Sequence, residues 1–588
     1  MFNQTAAALK LRAEDQTRSG GARVVFLAAG AFLIGVAVIV PSDEYSKALS
    51  GGVRDLSWGP GLFRWLLGFH GLAIALFGTY SSRNSTQKHV VSERIKFEPT
   101  TVAALFLMTV VALLLRFWNL DSSPWIDEVL TLVDFVRLPI NEIVISFPSQ
   151  NQHMLYSILA RGAFAVFGES TWALRLPAVL FGIGSIWALF FFARRVTGTR
   201  QALLACALMS VSYHHVWFSQ NGRGYTGLLM TTLAATWCWL EALRSNDRKW
   251  WALYVASVVV GMWIHMTMAF VVAAHGLVYL LFLVVPSLSG SANPKGADTN
   301  GSEERRAGIK PMIAWLFSVT LTLQLYALSL PQFLATGLHE ESRNSQWTNP
   351  VWVLTESLEN LSIGFAGTAV VLIAAAFVLF GWLSIYRHNR RAAVLMVLPP
   401  VLAGGLMLML GHNLFPRFFF FAMGFAILIV VHGTLELPGA IMRMAPRFRN
   451  AGRFAPQVGV GIALLLIVAS LVTVRRNYAL PKQDFAGARD YVVENLTPDS
   501  RAVAVNLAGD MFAKYYAPDW ITTRNVSRLE ELERSGSRVW LVYTMPFEIE
   551  AFSPELWKVI NDDYEIVRRF PGTLNGGDVV VCRYRGKS

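Results

Sequence analysis

The chain has 588 residues, of which 54% are hydrophobic and only 15% are charged, and its mean hydropathy is +0.43. This balance argues against an ordinary soluble enzyme and predicts a membrane protein. The net charge of +12 lies mostly in segments between apolar stretches, so it is a topology signal and leaves little for nucleic-acid binding to explain.

Apolar stretches long enough to cross a bilayer recur along the chain. A helix that crosses ~30 Å of hydrocarbon needs roughly 20 mainly apolar residues, and at that window we predict about thirteen such helices. They cover residues 23–41, 62–80, 99–117, 171–194, 201–218, 224–243, 250–265, 268–286, 311–330, 366–386, 392–411, 417–437 and 456–474. The sequence therefore predicts a mainly α, polytopic transmembrane helical bundle.

Basic residues predict the orientation of these helices. If the N-terminus is inside, the segments on the cytoplasmic side hold 25 lysines and arginines, whereas the outside connections before residue 456 hold about seven. Basic residues are retained on the cytoplasmic side of a membrane. We therefore expect a cytoplasmic N-terminus and, after an odd number of spans, an extracytoplasmic C-terminal tail.

Three regions follow from this pattern. Residues 1–98 are predicted to hold the N-terminus and an accessory transmembrane hairpin, residues 99–475 the transmembrane core, and residues 476–588 a small soluble domain. Apolar runs in the last region predict strands at 502–507, 539–544 and 579–584, and helices at 485–494 and 527–534. We expect this region to be an α/β domain on the outer face.

Two connections are unusually long. The first outer loop, residues 118–170, contains amphipathic stretches at 139–147 and 153–167 that are too short to cross a membrane comfortably. We interpret both as helices that lie at the membrane surface. Residues 287–310, rich in Ser, Gly and charged side chains, are interpreted as a flexible cytoplasmic linker.

Two adjacent carboxylates, Asp127 and Glu128, follow the third predicted span at the outer membrane boundary. Ionisable groups near a bilayer are candidates for function. A solvated loop, or a helix cap formed by Asp127, explains the same pattern without chemistry. Polar residues at other outer helix mouths favour the functional interpretation, because all of them fall on the same side of the membrane.

These polar residues are Arg223 between the fifth and sixth spans, His265 at the next outer turn, and Arg417 at the start of the twelfth span. A single arginine at such a place is commonly an interfacial anchor, and a histidine is about as often a satisfied buried residue. Two arginines beside an acid predict a phosphate-bearing substrate, because guanidinium groups bind phosphate through charge-assisted, often bidentate hydrogen bonds.

Short motifs in a fixed order resemble those of a known family. They are Arg116 to Glu128 (R-F-W-N-L-D-S-S-P-W-I-D-E), His153 to Tyr156, Phe167-Gly168, Ala173 to Pro177, Ser219-Gln220 with Arg223 and Tyr225, Pro416 to Phe418, and Pro481 to Asp484. The ordered set, over residues of about 100–490, resembles the GT-C glycosyltransferases. The similarity is to bacterial relatives of the protein O-mannosyltransferases and of the lipid A aminoarabinose transferase, glycosyltransferase families 39 and 83.

The resemblance implies an enzyme of the bacterial inner membrane that moves a sugar from a polyprenyl-phosphate donor to a hydroxyl of a lipid, glycan or protein acceptor. Asp127 is then the general base, and Glu128 supports it by orienting the acceptor or through its charge. A phosphate monoester leaves without a protonating acid, so one base suffices, and direct displacement inverts the anomeric centre. We expect the donor to be bound by Arg223, Arg417, His153, Tyr225, His265 and Arg116.

No cofactor is expected. Asp127 and Glu128 are alternatively ligands of Mg²⁺ or Mn²⁺, as in the related oligosaccharyltransferases, with Glu340 and Glu341 as further candidates. The three cysteines in the chain support neither a disulfide framework nor a zinc site. The chain departs from many relatives where it has His153-Met-Leu in place of His-Pro-Pro, and the resemblance leaves the acceptor open.

Other functions remain as alternatives. A transporter or flippase of lipid-linked or small substrates also has many spans, but transporters often show inverted repeats and charges near the midplane. Here no repeat is apparent and the polar groups gather at one face. A polysaccharide polymerase or ligase would also use outer-face arginines, but it has no need of two acids in the first core loop.

Overall fold

The computed structural model describes a mainly helical chain with one small sheet near its C-terminus. The predicted fold class, a helical membrane protein with a small C-terminal α/β domain, is confirmed. The described residues are 21, 23–51, 56–83, 97–285, 303–337, 349, 351, 355, 368–444, 452–534, 538–574 and 576–586.

The helices of the first half of the chain are α1 (Arg23–Ile39), α2 (Ser42–Ser50), α3 (Gly59–Arg83), α4 (Pro99–Phe117), α5 (Ile126–Thr131), α6 (Ile140–Ile145), α7 (Met154–Phe167), α8 (Thr171–Thr197), α9 (Thr199–Ser210), α10 (Tyr213–Ser219), α11 (Tyr225–Ser245) and α12 (Arg248–Ile264). The next are α13 (Met268–Val284), α14 (Glu303–Ala307), α15 (Lys310–Tyr326), α16 (Leu330–Gln332), α17 (Thr368–His388), α18 (Arg390–Met409), α19 (Met423–Met444) and α20 (Ala455–Ala479). A 3₁₀ turn at Pro416–Ala422 leads into α19.

Six of the described helical segments are long and apolar enough to cross a membrane, namely α3, α4, α8, α18, α19 with its 3₁₀ turn, and α20. The count is eight if the bent pairs α1 with α2 and α15 with α16, at angles of 89° and 90°, are one span each. A helix overlaps every one of the thirteen predicted spans. The number of spans itself stays a prediction.

The span predicted at residues 201–218 is two helices rather than one. Helix α9 ends at Ser210, and α10 begins at Tyr213 after a break at Val211 and Ser212. A break inside a membrane helix exposes backbone carbonyls that must find other donors. The carbonyl of Ser210 accepts a hydrogen bond from Arg116 Nη1 at 3.0 Å, so a buried cation supports the break.

The chain forms two compact units, and the first comprises the described parts of Met1–Lys96, Ile140–Gln150 and Met312–His339. Helices α1 and α3 approach closely at Gly30 and Gly71, where a Cβ atom on either residue would lie under 3 Å from the backbone of the other. His70 Nε2 on α3 lies 3.0 Å from Thr320 Oγ1 on α15. Helix α15 thus packs on the N-terminal hairpin.

The second unit comprises the described parts of Phe97–Pro139, Asn151–Pro311 and Glu340–Ser588. Helices α8 and α11 are buried over most of their length, as expected of helices that are apolar on nearly all sides. Helix α7 lies in the first outer loop, where a surface helix was predicted at 153–167. Of the predicted linker 287–310, residues before 303 lie outside the described part of the chain.

The C-terminal domain of this unit is a five-stranded sheet with helices. Its elements are α21 (Phe485–Asn495), β1 (Ser500–Val505), α22 (Asn506–Met511), β2 (Ile521–Thr523), α23 (Val526–Arg534), β3 (Arg538–Thr544), α24 (Pro546–Phe552), α25 (Pro554–Asp563), β4 (Tyr564–Phe570) and β5 (Val579–Tyr584). The strand order is β2-β1-β3-β5-β4, with β1 parallel to β2 and β3, and β5 antiparallel to β3 and β4. The three strands and two helices predicted here all overlap elements of this domain, although the strand predicted at 502–507 ends at Val505, where α22 follows.

Candidate active site

The acid loop, residues 119–128, leads into α5 and ends on the two carboxylates. Trp125 is the N-cap of α5, and its backbone N–H donates to Glu128 Oε2 at 3.3 Å. Glu128 thereby satisfies one of the amide groups that every helix start leaves without a partner. The adjacent carboxylate of Asp127 projects from the same first turn.

Glu128 is fully buried, and Arg175 at the start of α8 holds it with two hydrogen bonds of 2.7 and 2.6 Å. The backbone N–H of Gly222 donates to it at 2.6 Å. Burial would raise the pKa of Glu128, but the charges of Arg175 and Lys482 and these hydrogen bonds lower it below its usual value. Each carboxylate oxygen of Glu128 therefore accepts two hydrogen bonds. Because these bonds occupy both oxygens, the contacts do not favour the predicted role of Glu128 in orienting an acceptor.

Asp127 has a much lighter set of contacts. Its Oδ2 atom lies 3.4 Å from Nη1 of Arg417, whose side chain is 34% exposed, while the Asp127 side chain is 11% exposed. This distance is long for a charge-assisted hydrogen bond, which is commonly 2.7–2.9 Å between nitrogen and oxygen. The structure thus brings together the predicted base and one predicted phosphate ligand, and leaves both with capacity for further contacts.

Arg223 lies beside α5 on the segment between α10 and α11. Its Nη1 atom donates to the Asn151 carbonyl at 2.9 Å, contacts the Asn151 side-chain oxygen, and reaches Thr131 Oγ1 at 3.2 Å. Its guanidinium lies 5.7 Å from the ring centre of Tyr225. Its buried Nε has no hydrogen-bond partner among the described residues, so this arginine is held in place with a donor still free.

His153 is held in one tautomer by the backbone. The N–H of Gly224 donates to His153 Nδ1 at 2.8 Å, so the ring proton lies on Nε2. A Cβ atom on Gly224 would lie only 2.8 Å from that nitrogen, which explains why glycine stands there. Burial, with the charges of Arg223 and Arg417, lowers the pKa of His153 well below its usual value. His153 is therefore a neutral donor, and its buried Nε2 has no partner in the described part of the chain.

Two further predicted residues pack around this histidine. The ring of His265 lies 4.6 Å and the ring of Tyr225 5.4 Å from the ring of His153, centre to centre. His265 Nδ1 accepts from the backbone N–H of Thr267 at 3.2 Å. We call Asp127, His153, Arg223, Tyr225, His265 and Arg417 the Asp127 cluster.

Arg116 does not join this cluster. It is fully buried, and its guanidinium contacts Ser219 Oγ at 3.1 Å, His215 Nδ1 at 2.5 Å and the carbonyls of Ala112 and Ser210 at 2.9 and 3.0 Å. These contacts use four of its five N–H groups. We therefore leave Arg116, predicted to bind substrate, out of the candidate site and assign it to the support of the break between α9 and α10.

Three residues of the site region were given no role at the sequence level. They are Arg175, which pairs with Glu128, and Lys482 and Gln483, which precede the C-terminal domain. A charged residue in an apolar helix needs a partner, so Arg175 in the first turn of α8 was a usable signal. Lys482 and Gln483 stood in a family motif, and only their contacts reveal their role.

No three His, Cys, Asp or Glu side chains lie close enough to hold a metal ion among the described residues. Glu340 and Glu341, the further candidates for metal ligands, lie outside them. The expectation of a metal-free site stays a prediction.

The Asp127 cluster combines one carboxylate, two arginines and a neutral histidine donor. Such a set can take a proton from a hydroxyl and bind a phosphate at the same place. Unpartnered buried donors are costly in a protein without a ligand, and here they occur on Arg223, His153 and Arg417. Their presence on three residues of the cluster makes it a candidate binding site for an anion.

Comparison with known proteins supports the resemblance read from the motifs. Residues 151–290 match the family model described as dolichyl-phosphate-mannose-protein mannosyltransferase. YycA of Bacillus subtilis strain 168, named as a mannosyltransferase, is 27% identical over 124 residues, which are 21% of this chain and 17% of YycA. The alignment thus spans less than a fifth of that relative. The resemblance to the GT-C enzymes is confirmed.

Solved structures of similar architecture include two transferases. ArnT from Cupriavidus metallidurans bound to undecaprenyl phosphate is 14% identical, with 82% of this chain and 98% of that chain covered and a TM-score of 0.42. Oligosaccharyltransferase AglB from Archaeoglobus fulgidus, in complex with an inhibitory peptide and a dolichol-phosphate, is 11% identical, with 82% and 74% covered and a TM-score of 0.48.

Proposed function

We propose that this chain is an integral membrane glycosyltransferase that moves a sugar from a polyprenyl-phosphate donor to an acceptor hydroxyl, with inversion at the anomeric carbon. The observation that carries the proposal is the pairing of Asp127 with Arg417 inside a cluster of unpartnered cationic and neutral donors. The match of residues 151–290 to a family of dolichyl-phosphate-mannose-dependent transferases supports the nature of the donor.

Asp127 is the base of the proposed reaction. Its carboxylate takes the proton of the acceptor hydroxyl as that oxygen bonds to the anomeric carbon. The bond between this carbon and the phosphate oxygen breaks, and its electron pair leaves with polyprenyl phosphate. A positioned general base contributes typically 10²- to 10⁴-fold to such a step.

Arg417 and Arg223 bind the donor phosphate in this proposal. As the glycosidic bond breaks, negative charge grows on the leaving phosphate, and fixed cations near it stabilise the transition state. His153 adds a neutral N–H donor, held in its tautomer by Gly224. A neutral N–H donor binds a phosphate oxygen without adding a further positive charge beside Asp127.

The reaction is proposed to occur on the outer face of a bacterial inner membrane. The bias of lysine and arginine toward the predicted inside segments supports this orientation. Cys206, Cys238 and Cys582 are buried, so a cysteine introduced on the surface can be labelled selectively. In intact spheroplasts an impermeant thiol reagent should label Glu555→Cys, whereas Arg443→Cys should react only after lysis. The reverse pattern contradicts the orientation.

The test of function compares cells that lack the gene, carry the parent, or carry Asp127→Asn. Mass spectrometry of their lipids, glycans and envelope proteins should show one glycoconjugate that loses a sugar without the gene and with Asp127→Asn. Only the parent should restore it. If all three strains have the same glycoconjugates, or if Asp127→Asn restores the product, the proposal is wrong.

A further inference from the structure

The acid loop packs on one face of the C-terminal sheet. Trp125, Ile126 and Val129 belong to the same buried cluster as side chains of β1, β3 and β5. Side chains alternate between the two faces of a strand, and Ala502 and Ala504 join this cluster while Val503 and Val505 join a separate one on the other face. One face of the sheet therefore packs only within the domain, whereas the other joins a cluster that contains both helices of the domain, such as α21, and the acid-loop residues.

Gln483 links the loop to the sheet by hydrogen bonds. Its Oε1 accepts from the backbone N–H of Ile126, the residue before Asp127, at 3.3 Å. Its Nε2 donates to Thr544 Oγ1 at the end of β3 at 3.2 Å and to the carbonyl of Gly577 at 3.1 Å. This side chain is fully buried, so one amide group spans from the sheet to the start of α5.

One further contact fixes the acid loop, and another fixes the neighbouring segment between α10 and α11. The hydroxyl of Tyr516 donates to the carbonyl of Pro124. Lys482 Nζ donates to the carbonyl of Gln220 at 2.5 Å and lies 5.4 Å from the ring centre of Trp217. Burial, reinforced by Arg175, lowers the pKa of Lys482 to about 7. A buried lysine is costly, so its presence beside the loop indicates a specific role.

We propose that Gln483, with Tyr516 and Lys482, positions the acid loop, so that the C-terminal domain sets the place of Asp127 and is part of the active site rather than an accessory. The proposal rests on the proposed function for its effect on transfer. Gln483 and Tyr516 are positioning residues, because they contact the backbone of the acid loop and not a substrate. Lys482 acts through Gln220, on the segment whose Gly222 N–H donates to Glu128.

The first measurement is hydrogen–deuterium exchange of the full-length protein in detergent, followed over residues 122–131. Gln483→Leu removes all three hydrogen bonds of this side chain, and we expect exchange in that peptide to be about 5-fold faster, the ratio that corresponds to ~1 kcal/mol. Tyr516→Phe is the milder second variant if the first does not fold. Lys514→Ala is the matched control, since it breaks an exposed ion pair between the same two regions, with Asp134.

The second measurement is the rate of formation of the glycoconjugate found by mass spectrometry, with the affinity for undecaprenyl phosphate measured separately. We expect Gln483→Leu to slow transfer about 10-fold while affinity changes less than twofold, and Lys514→Ala to change neither. Parental exchange and parental transfer in both Gln483→Leu and Tyr516→Phe overturn the proposal. So does weaker lipid binding with an unchanged rate. If the parent transfers no sugar, the proposed function fails, and the exchange measurement alone decides whether the loop is positioned from the domain.

Discussion

The two neighbouring carboxylates of the acid loop stand in opposite environments. Glu128 accepts four hydrogen bonds and pairs with Arg175 at 2.6 Å, with both side chains at most 1% exposed. Within the described part of the chain Asp127 has one long polar contact, of 3.4 Å, to Arg417, which is a third exposed. The hydrogen-bonding capacity of the Glu128 carboxylate is filled, whereas that of the Asp127 carboxylate is not filled by the described residues.

This difference separates structure from chemistry within two adjacent residues. A buried ion pair is tolerated when its remaining hydrogen-bonding capacity is filled, and Glu128 with Arg175 meets that condition. Asp127 and Arg417 retain free donors and acceptors, which a substrate can use. The resemblance read from the sequence makes Asp127 the base and Glu128 its support in the chemistry, whereas the contacts tie Glu128 to the structure of the loop.

The largest effect is expected from breaking the buried pair of Arg175 and Glu128. Arg175→Met leaves the Glu128 carboxylate buried without its cation, and removing one partner of a buried pair costs roughly 3–5 kcal/mol of stability. Thermal unfolding in detergent measures the loss. The matched control is Arg137→Met, whose pair with Glu169 is about half exposed and should cost no more than ~1 kcal/mol. Equal losses of stability in Arg175→Met and Arg137→Met would show that the buried pair contributes no more than the exposed pair.

A smaller effect on folding but a large one on chemistry is expected at Asp127. Asp127→Asn keeps the size of the side chain and removes the basic lone pair, so transfer should fall by at least ~100-fold. Unfolding temperature and binding of undecaprenyl phosphate should stay near parental values. Asp134→Asn, at an exposed acid further along the same loop region, is the control and should transfer normally. Near-parental transfer by Asp127→Asn would show that Asp127 is not the base and that both acids have structural roles.

The third prediction concerns the phosphate ligand. Losing a charge-assisted contact costs ~1.5–3 kcal/mol, so Arg417→Ala should weaken binding of undecaprenyl phosphate by about 10- to 200-fold. Arg417→Lys should restore part of the affinity, because lysine keeps the charge but lacks the planar fork. Arg161→Ala, on α7, serves as the control. Parental affinity in Arg417→Ala would identify this arginine as a membrane anchor.

The smallest effect is expected from removing metal ions. Arg417 already stands beside Asp127 as its cation, and in the proposed reaction the two arginines supply positive charge for the leaving phosphate. Purified protein treated with EDTA should therefore transfer sugar at the untreated rate. Activity that disappears with EDTA and returns with Mn²⁺ or Mg²⁺ would instead make Asp127 a metal ligand. The charge of Glu128 would then be neutralised by Arg175 and that of Asp127 by a metal ion.

The helices and strands were largely predictable because their signals are local. Residues 99–117 read as a span and form α4 at those bounds, and Val579–Tyr584 is the predicted strand. The break between α9 and α10 was not predicted, because its cause lies outside the segment: Arg116 is 94 residues from the carbonyl that it supports. Hydropathy averages over a window, and one distant donor does not enter that average.

Most residues of the candidate site were predictable from the sequence, but the contacts that hold Glu128 and Arg116 in structural positions were not. Outer-face position and family motifs found Asp127, Arg223 and Arg417, while the same reasoning included Arg116 and gave Glu128 a share in chemistry. The partner of Glu128 is 47 residues away and Gln483 is 357 residues from the amide that it accepts from. Such contacts depend on how separate elements pack, which periodicity and spacing do not specify.

The composition of the first compact unit also has a consequence for biosynthesis. Its N-terminal hairpin, within Met1–Lys96, packs against α15 of Met312–His339, which the ribosome makes more than 200 residues later. At about 5–20 residues per second the delay is roughly 10–40 s. During that time the side of α3 that carries His70 lacks its partner on α15. A membrane insertase or chaperone that shields this side until α15 arrives would therefore speed assembly of the first unit.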